Sequence, residues 1–340
     1  MSLLSVKDLK KMYPGEKKPA LRGVSLSINK GETLGLLGTN GAGKSTTINI
    51  LAGLISPDSG SVTMFGEDFL KNPAAVKPYM NISTAYAQMP PLLTVEENLR
   101  VFAHYYALQK PQQRIDELVE TFSLQKIFKR SVGKLSAGQK AKANLAKSLL
   151  NDPKLLLLDE PTASLDPEHA LDIRKQIKKW QEKKKSSILW TSHNMAEIEQ
   201  VCDRVAFLRQ GKIYLVDTPR NLVKEIKHQY ITVTFMTLKI TREAKKILQA
   251  EYKLKPLDNY SFNIRIDNSP TALHEFLRKL ETHELAYYDF HIQPPSLEQL
   301  FLELTKLGTF FSTISAICLG SGSRASSCAA IMKGPIVSAA

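Results

Sequence analysis

The sequence predicts an α/β domain with a largely parallel sheet, followed by a small α+β domain. Up to about residue 220, short β-rich runs alternate with helical patterns, as they do in proteins with parallel sheets. A glycine-rich stretch, GTNGAGKST at 38–46, follows the apolar run TLGLL and leads into a helical pattern. Near residue 228 the strand and helix patterns restart, which indicates a second domain.

The first domain is predicted to contain five main strands and a helical insert. The strand candidates are ETLGLLG, NISTAYA, KLLLLDE, SSILWTS and RVAFLRQ. Those at 31–38, 154–160 and 186–192 end in polar or glycine loops, where open α/β sheets bind ligands, so we expect a site there. Residues from about 92 to 150 show helical periodicity: Thr94 and Glu97 form a capping-box pattern, and Pro111 opens a second helix.

The second domain is predicted to be an α+β domain, for which a ferredoxin-like fold is one candidate. Its strand candidates are YITVTF, YSFNIRID and AYYDFHI, with another short strand before Tyr260, and its helix candidates are TREAKKILQAEY, SPTALHEFLRKLETH and PSLEQLFLELTKL. We place the first domain at 1–225 and the second at 226–306. Residues 307–340 are rich in Ser, Ala and Gly, so we expect a flexible tail, either native or a cloning or reading-frame artefact.

Composition restricts the function classes only loosely. The 340 residues are 43% hydrophobic, enough for a substantial core. The net charge of +13 fits a nucleotide, a nucleic acid or an anionic membrane surface, but the densest basic run, 178–187, is typical of a solvated helix end. Three cysteines show neither metal-ligand spacing nor a disulfide framework, and no apolar run resembles a signal or a membrane span. We therefore expect a cytosolic protein.

The stretch at 38–46 has the pattern of a phosphate-binding loop. Three glycines let the backbone turn with its N–H groups inward, and the following helix brings its positive end to the same place. Lys44 is then expected to reach the β- and γ-phosphates and Ser45 to ligate Mg²⁺. A plain glycine turn is the alternative, which the flanking strand and helix disfavour. The predicted nucleotide-binding residues of this stretch are Gly38, Asn40, Gly41, Gly43, Lys44, Ser45 and Thr46.

A second motif supplies carboxylates. The run KLLLLDEP at 154–161 reads as a buried strand with an acidic end, and a P-loop enzyme needs such a carboxylate on a neighbouring strand. We expect Asp159 to hold Mg²⁺, and Glu160 to orient and deprotonate the attacking water. A solvated strand end or a helix cap is the alternative.

A third motif, KLSAGQKAK at 134–142, connects the other two to a family. By itself Ser136 is most simply a helix N-cap, with Gly138 in the first turn. A Leu-Ser-x-Gly-Gln segment some twenty residues before the acidic strand, however, resembles the signature motif of ATP-binding cassette (ABC) ATPases. Residues 1 to about 220 match that family throughout. The resemblance implies a P-loop NTPase fold of the ABC-ATPase type with a helical insert, and ATP and Mg²⁺ as cofactors.

The resemblance assigns roles to further residues. It implies that Tyr13 stacks on adenine and that Gln88 senses Mg²⁺ and the attacking water. Asp166 in SLDP would make contact across a dimer, and His193 would contact the γ-phosphate. The alternatives are a packing aromatic for Tyr13, a polar strand end for Gln88, and helix caps for Asp166 and His193. The signature residues that would face a second chain's nucleotide are Ser136, Gly138 and Gln139.

The implied function is ATP hydrolysis coupled to transport. Two ABC domains sandwich two ATP molecules, and this sequence has one motif set, so the second comes from another copy or a homologous subunit. The resemblance also implies separate permease subunits that hold the chain at the inner face of the cell membrane. The segment HIQPPSLEQLFLELT resembles the C-terminal extensions of the ABC-2 type exporter branch.

Three other functions remain as alternatives. One is an ABC ATPase acting on ribosomes, but those proteins carry two cassettes in one chain. Another is an SMC-like DNA-repair ATPase, but the segment between Lys44 and Leu135 has no room for a long coiled coil. We therefore expect no nucleic-acid partner. The third makes the C-terminal domain a regulatory ligand sensor.

Overall fold

The computed structural model describes residues 2–84, 89–163 and 165–306, with the backbone alone for 302–306, and its contacts divide the chain into two compact units after Pro219. The strands of the first unit are β1 (Ser2–Lys11), β2 (Leu21–Asn29), β3 (Thr33–Leu37), β4 (Ser59–Met64), β5 (Glu67–Asp68), β6 (Met80–Thr84), β7 (Leu155–Asp159), β8 (Ser187–Ser192), β9 (Arg204–Arg209) and β10 (Lys212–Asp217). The α-helices of the first unit are α1 (Lys44–Leu51), α2 (Pro73–Val76), α3 (Val95–Tyr105), α4 (Pro111–Thr121), α5 (Ala137–Ser148), α6 (Pro167–Lys184) and α7 (Met195–Val201), and α8 (Pro219–Lys224) begins at the division.

The main sheet of the first unit has the strand order β10-β9-β3-β8-β7-β6. All neighbours in it are parallel except β10, which pairs antiparallel with β9. Every residue of β3, β7 and β8 is buried, because a parallel sheet is covered on both faces and so selects continuous apolar runs. The five predicted strands lie in this sheet, which confirms the predicted α/β class.

The order of the strands corrects one expectation. The sequence placed the acidic strand next to the strand that leads into the glycine loop, but β8 lies between β3 and β7. Both β3 and β7 therefore pair with β8, and the loop after β8 enters the site between the other two strand ends. Sequence order alone does not reveal such a crossover, since several strand orders are compatible with the same alternation of strands and helices.

An antiparallel sheet that the sequence analysis did not predict completes the first unit. Its strand order is β2-β1-β4-β5. Buried and exposed residues alternate along much of β2, as expected for a sheet with one solvated face. The buried residues join α1 and the main sheet in one hydrophobic core, to which Leu9, Ile48 and Leu157 belong. This core fixes α1 beneath the glycine loop.

The helical insert predicted at about 92–150 contains α3, α4 and α5. The Thr94 hydroxyl accepts the Glu97 N–H at 3.1 Å, and the Glu97 carboxylate accepts the Thr94 N–H at 2.8 Å, which confirms the predicted capping box. These hydrogen bonds hold the pKa of Glu97 below its usual value, the one from the Thr94 backbone contributing most. Pro111 is the first residue of α4, as predicted.

The second unit is a small α+β domain, which confirms that part of the predicted fold. Its elements are β11 (His228–Phe235), α9 (Leu238–Leu248), β12 (Lys253–Pro256), β13 (Ser261–Asp267), α10 (Pro270–Thr282), β14 (Tyr287–Gln293) and α11 (Leu297–Lys306). The antiparallel order β12-β13-β11-β14 is the ferredoxin-like arrangement. Its core joins residues of the strands, α9 and α10, including Val233, Leu248 and Phe276.

The sequence also predicts that the chain has no membrane span and that it ends in a flexible tail. In the described ranges no helix combines the length and the apolar composition that crossing a bilayer requires. The tail predicted for 307–340 lies outside the described residues, so its flexibility stays a prediction.

Candidate functional site

The glycine loop lies between the end of β3 and the start of α1. Gly38 makes the closest approach, because a Cβ atom there would lie 2.3 Å from the carbonyl oxygen of Leu208. Gly41 and Gly43 have φ angles of +76° and +111°, in the left-handed region that other residues avoid. Gly43 is also the N-cap of α1, so the helix begins directly at the loop. The loop thus requires glycine for two different reasons.

Two alanine substitutions distinguish backbone strain at a positive φ angle from steric clash of the added Cβ atom. A Cβ at Gly41 meets nothing within 4 Å, whereas at Gly43 it meets the Ala20 carbonyl oxygen at 2.8 Å. We expect Gly41→Ala to cost about 1–2 kcal/mol of unfolding free energy from backbone strain alone, and Gly43→Ala to cost more. Denaturant unfolding of both variants measures the difference, and equal losses would contradict the loop geometry.

Lys44 is folded back over the loop. Its side chain is 6% exposed, and Nζ donates to the Gly38 carbonyl at 2.7 Å and to the Thr39 carbonyl at 3.4 Å. The same Nζ lies 3.5 Å from Oε1 of Glu160, which follows β7. The structure therefore brings together the glycine loop and the acidic strand end, although β8 separates their strands.

The acidic strand ends in a constrained turn. Asp159 is buried, and its Oδ1 accepts the Thr191 hydroxyl of β8 at 2.7 Å. Glu160 has a φ angle of +52°, unusual for a residue with a Cβ, and its N–H donates to the backbone oxygen of Thr191 at 3.2 Å. The left-handed turn separates the two side chains: Asp159 faces Thr191, and Glu160 faces Lys44.

His193 follows β8 and reaches the same carboxylate. Its Nδ1 lies 2.7 Å from Oε2 of Glu160, so Glu160 contacts Lys44 with one oxygen and His193 with the other. The alternative of a helix cap is wrong for His193, because the N-cap of α7 is Asn194, whose Oδ1 accepts the Glu197 N–H at 3.2 Å. The imidazole is 60% exposed, so it is open to a ligand from solvent.

Tyr13 lies beside the start of α1. Its hydroxyl is 3.4 Å from the Thr46 hydroxyl, which places the ring within reach of the glycine loop. Asp58, which the sequence analysis missed, holds the preceding residues by accepting the Lys11 ammonium at 2.9 Å and the Met12 N–H at 2.6 Å. These hydrogen bonds lower the pKa of Asp58, Lys11 contributing most. An isolated acidic residue between two strands has no motif that reveals such a role.

The signature residues form the start of α5. The Ser136 hydroxyl accepts the Gln139 N–H at 3.3 Å, and the Gln139 side chain accepts the Ser136 N–H at 3.2 Å, which confirms the helix-cap interpretation of Ser136. Gly138 lies against His169, because a Cβ atom there would be 2.6 Å from Cδ2 of the imidazole. No larger residue fits at Gly138 unless His169 moves.

Asp166 is the N-cap of α6 and connects to the signature through His169. It accepts the His169 N–H at 3.1 Å, as the cap alternative predicted, and its Oδ2 lies 2.7 Å from Nδ1 of the same histidine. The backbone hydrogen bond, followed by the imidazole, holds the pKa of Asp166 below its usual value. Both side chains are about half exposed. His169 was not predicted from the sequence, although a histidine three residues after an N-cap aspartate is the available signal.

The remaining predicted residues stand as follows. Asn40, Ser45 and Thr46 lie in the loop and the first turn of α1, and Asn40 and Ser45 are exposed. Gln88 lies outside the described residues, so its catalytic and metal roles stay predictions. No group of three or more His, Cys, Asp or Glu side chains in the described ranges is arranged to hold a metal by itself.

The donors present nevertheless suit Mg²⁺. Asp159 offers a carboxylate at the strand end, and Ser45 offers an exposed hydroxyl in the first turn of α1. Oxygen ligands of this kind, few in number and supplemented by phosphate oxygens and water, are how proteins commonly hold Mg²⁺.

Comparison with known proteins agrees with this geometry. Residues 21–163 match the family described as ABC transporter. The linearmycin resistance ATP-binding protein LnrL of Bacillus subtilis is 32% identical over 311 residues, covering 89% of this chain and 98% of LnrL. The bacitracin transport ATP-binding protein BcrA of Bacillus licheniformis is 36% identical over 230 residues, covering 68% of this chain and 74% of BcrA.

A solved structure described as the ATP-binding subunit of an ABC transporter is 29% identical and superposes with a TM-score of 0.58, covering 66% of this chain and 92% of that one. The match to LnrL spans nearly the whole of that relative, and the glycine loop, acidic strand and signature helix are folded together in one unit. The chain belongs to the ABC transporter family and is an ATP-binding, ATP-hydrolysing subunit of that family.

Proposed function

We propose that the chain powers an exporter: two ATP-binding subunits close on ATP and drive a separate membrane permease. The observation that carries this proposal is the contact of Glu160 with Lys44 at 3.5 Å and with His193 at 2.7 Å, at the end of the parallel sheet. This arrangement supports the proposal, because Lys44, Glu160 and His193 lie close enough together to act on one γ-phosphate as phosphate-binding cation, general base and phosphate contact.

Each of the three residues has a role in hydrolysis. Lys44 turns from the loop carbonyls to the β- and γ-phosphates, since charged oxygens accept its hydrogen bonds more strongly than neutral ones do. Glu160, released from Lys44, orients the attacking water and accepts its proton. His193 stays against Glu160 and contacts the γ-phosphate from its other side.

Mg²⁺ would be held by Ser45 and Asp159, with Gln88 as a further predicted ligand, and would neutralise charge on the phosphates. The Thr191 hydroxyl keeps Asp159 facing the site, because it donates to Oδ1 at 2.7 Å. Tyr13 supplies an aromatic surface for adenine beside Thr46.

The second half of each nucleotide site comes from a second copy or a homologous subunit. The mutual hydrogen bonds of Ser136 and Gln139 and the packing of Gly138 on His169 fix the first turn of the signature helix, whose remaining backbone N–H groups would face the second chain's nucleotide. Such groups attract phosphate charge. Hydrolysis removes that charge from the interface and releases the dimer.

The permease partner follows from the relatives. LnrL and BcrA are named for linearmycin resistance and bacitracin transport. We infer that this chain serves an exporter of compounds of a related kind, and that the permease holds it at the inner face of the cell membrane. The division into an ATPase domain at 1–225 and an accessory domain at 226–306 belongs to the same proposal.

Purification from native membranes tests the exporter assignment. A tagged chain is expected to recover a membrane protein with multiple spans, and the recovery is expected to survive nuclease treatment. Recovery with ribosomes or DNA alone would favour a non-transport ABC ATPase and would overturn the exporter assignment.

A further inference from the structure

We propose that Glu197 is a positioning residue for ATP hydrolysis, because its buried carboxylate connects the two loops that carry Glu160 and His193. The inference rests on the proposed roles of those two residues. Glu197 lies outside the glycine loop, the acidic strand and the signature motif.

The contacts of Glu197 define the connection. The residue is 1% exposed and lies in the first turn of α7. Its Oε1 accepts the hydroxyl of Thr162, and its Oε2 accepts the hydroxyl of Ser192 at 2.6 Å. Thr162 is two residues beyond Glu160, and Ser192 directly precedes His193. One carboxylate therefore holds both loops.

Asn194 holds the backbone of Glu197 and the hydroxyl of Ser192 in place. The Glu197 N–H donates to Oδ1 of Asn194 at 3.2 Å, and the Asn194 N–H donates to the Ser192 hydroxyl at 3.0 Å. Ser192 thus donates to Glu197 and accepts from Asn194, which fixes the direction of its hydroxyl. A buried carboxylate with both oxygens hydrogen-bonded is a stable anchor, whereas an unpaired one is costly.

The loop at Glu160 needs such an anchor. Glu160 is held at a φ of +52°, and strained conformations persist only where the surroundings enforce them. Thr191 supports the backbone before the turn by accepting the Glu160 N–H at 3.2 Å, and Glu197 supports the chain beyond it through Thr162. With the 2.7 Å contact between His193 and Glu160, the two loops are joined at two points.

The contacts of Lys44 and Glu197 indicate that loss of Glu197 should slow ATP hydrolysis without weakening ATP binding. Lys44 makes its contacts to Gly38, Thr39 and Glu160, and the hydrogen bonds of the Glu197 side chain go to Thr162 and Ser192. Loss of Glu197 is therefore expected to leave the glycine loop intact and to misplace Glu160 and His193. A displacement of about 1 Å costs roughly 100-fold in rate.

The first experiment measures ATP affinity and turnover of the full chain with Glu197→Ala. We expect kcat to fall by roughly 10- to 100-fold, while the ATP dissociation constant stays within about twofold. Glu197→Gln keeps one acceptor oxygen and should fall between wild type and Glu197→Ala. Glu182→Gln, an exposed carboxylate in α6, is the control and should keep full kcat.

A double-mutant cycle with His193→Ala distinguishes positioning from general destabilisation. If Glu197 acts by positioning the loops of Glu160 and His193, the two losses should be less than additive in the double variant. Val62→Ala, in the core away from these loops, provides a variant of reduced stability that should keep kcat. If Glu197→Ala does not fold, Thr162→Val replaces it in the measurements of kcat and ATP affinity. This substitution removes one of the two hydroxyls that donate to the Glu197 carboxylate.

The outcomes are distinguishable. Additive losses in the cycle, or an unchanged kcat in Glu197→Ala when Glu160→Gln and His193→Ala are both slow, would overturn this inference alone. An unchanged kcat in both Glu160→Gln and His193→Ala would overturn the proposed catalytic roles as well.

Discussion

Glu160→Gln is expected to bind ATP, to hydrolyse it very slowly and to accumulate as an ATP-bound dimer. The amide keeps the size of the side chain but does not accept a proton from water, and loss of a general base costs about 10²- to 10⁴-fold in rate. Binding should persist, because Lys44 and the glycine loop are unchanged. Removing the 3.5 Å ion pair also frees Lys44 for phosphate. Phosphate release under single-turnover conditions measures the effect.

The matched control for this variant is Glu182→Gln, an exposed carboxylate in α6. It should hydrolyse ATP at the wild-type rate. Wild-type turnover in Glu160→Gln would remove Glu160 from the role of general base, and the same chemistry would then have to be sought at another carboxylate near the site.

Lys44→Ala is expected to lose nucleotide binding or turnover. The lysine is buried at the glycine loop, and its Nζ lies 3.5 Å from Oε1 of Glu160. Hydrogen bonds to charged groups contribute about 1.5–3 kcal/mol, so ATP should bind roughly 10- to 150-fold more weakly. Titration with a fluorescent ATP analogue measures the change.

Two further measurements complete that prediction. Lys30→Ala removes an exposed lysine and should bind ATP as the wild type does. ADP should lose less affinity than ATP in Lys44→Ala, because the lysine also reaches the γ-phosphate. Retention of both affinity and turnover would reject the assignment of the glycine loop as the phosphate site.

Much of the site could be predicted from the sequence because its elements are local. A glycine at a positive φ, a capping serine and an apolar run ending in two acids each leave a pattern within a few residues. The loop at 38–46, the cap at Ser136 and the buried strand before Asp159 are confirmed as structures for that reason. Their catalytic roles stay predictions.

The features of the site that the sequence did not predict depend on contacts between residues far apart in the sequence. The insertion of β8 between β3 and β7 follows from tertiary packing, and it carries His193 to Glu160 across 33 positions of sequence. Glu197 reads as an ordinary helical glutamate, although it is buried between two hydroxyls. Asp58 and His169 likewise have roles that only their partners reveal.

The central claim is that the glycine loop of one copy binds a triphosphate that the signature helix of a second copy completes. Light scattering of Glu160→Gln with saturating ATP and Mg²⁺ tests it most directly. The account predicts that the molar mass doubles from the 38.0 kDa of one chain and returns to that value with ADP. A mass that stays at 38.0 kDa while ATP is bound would contradict it.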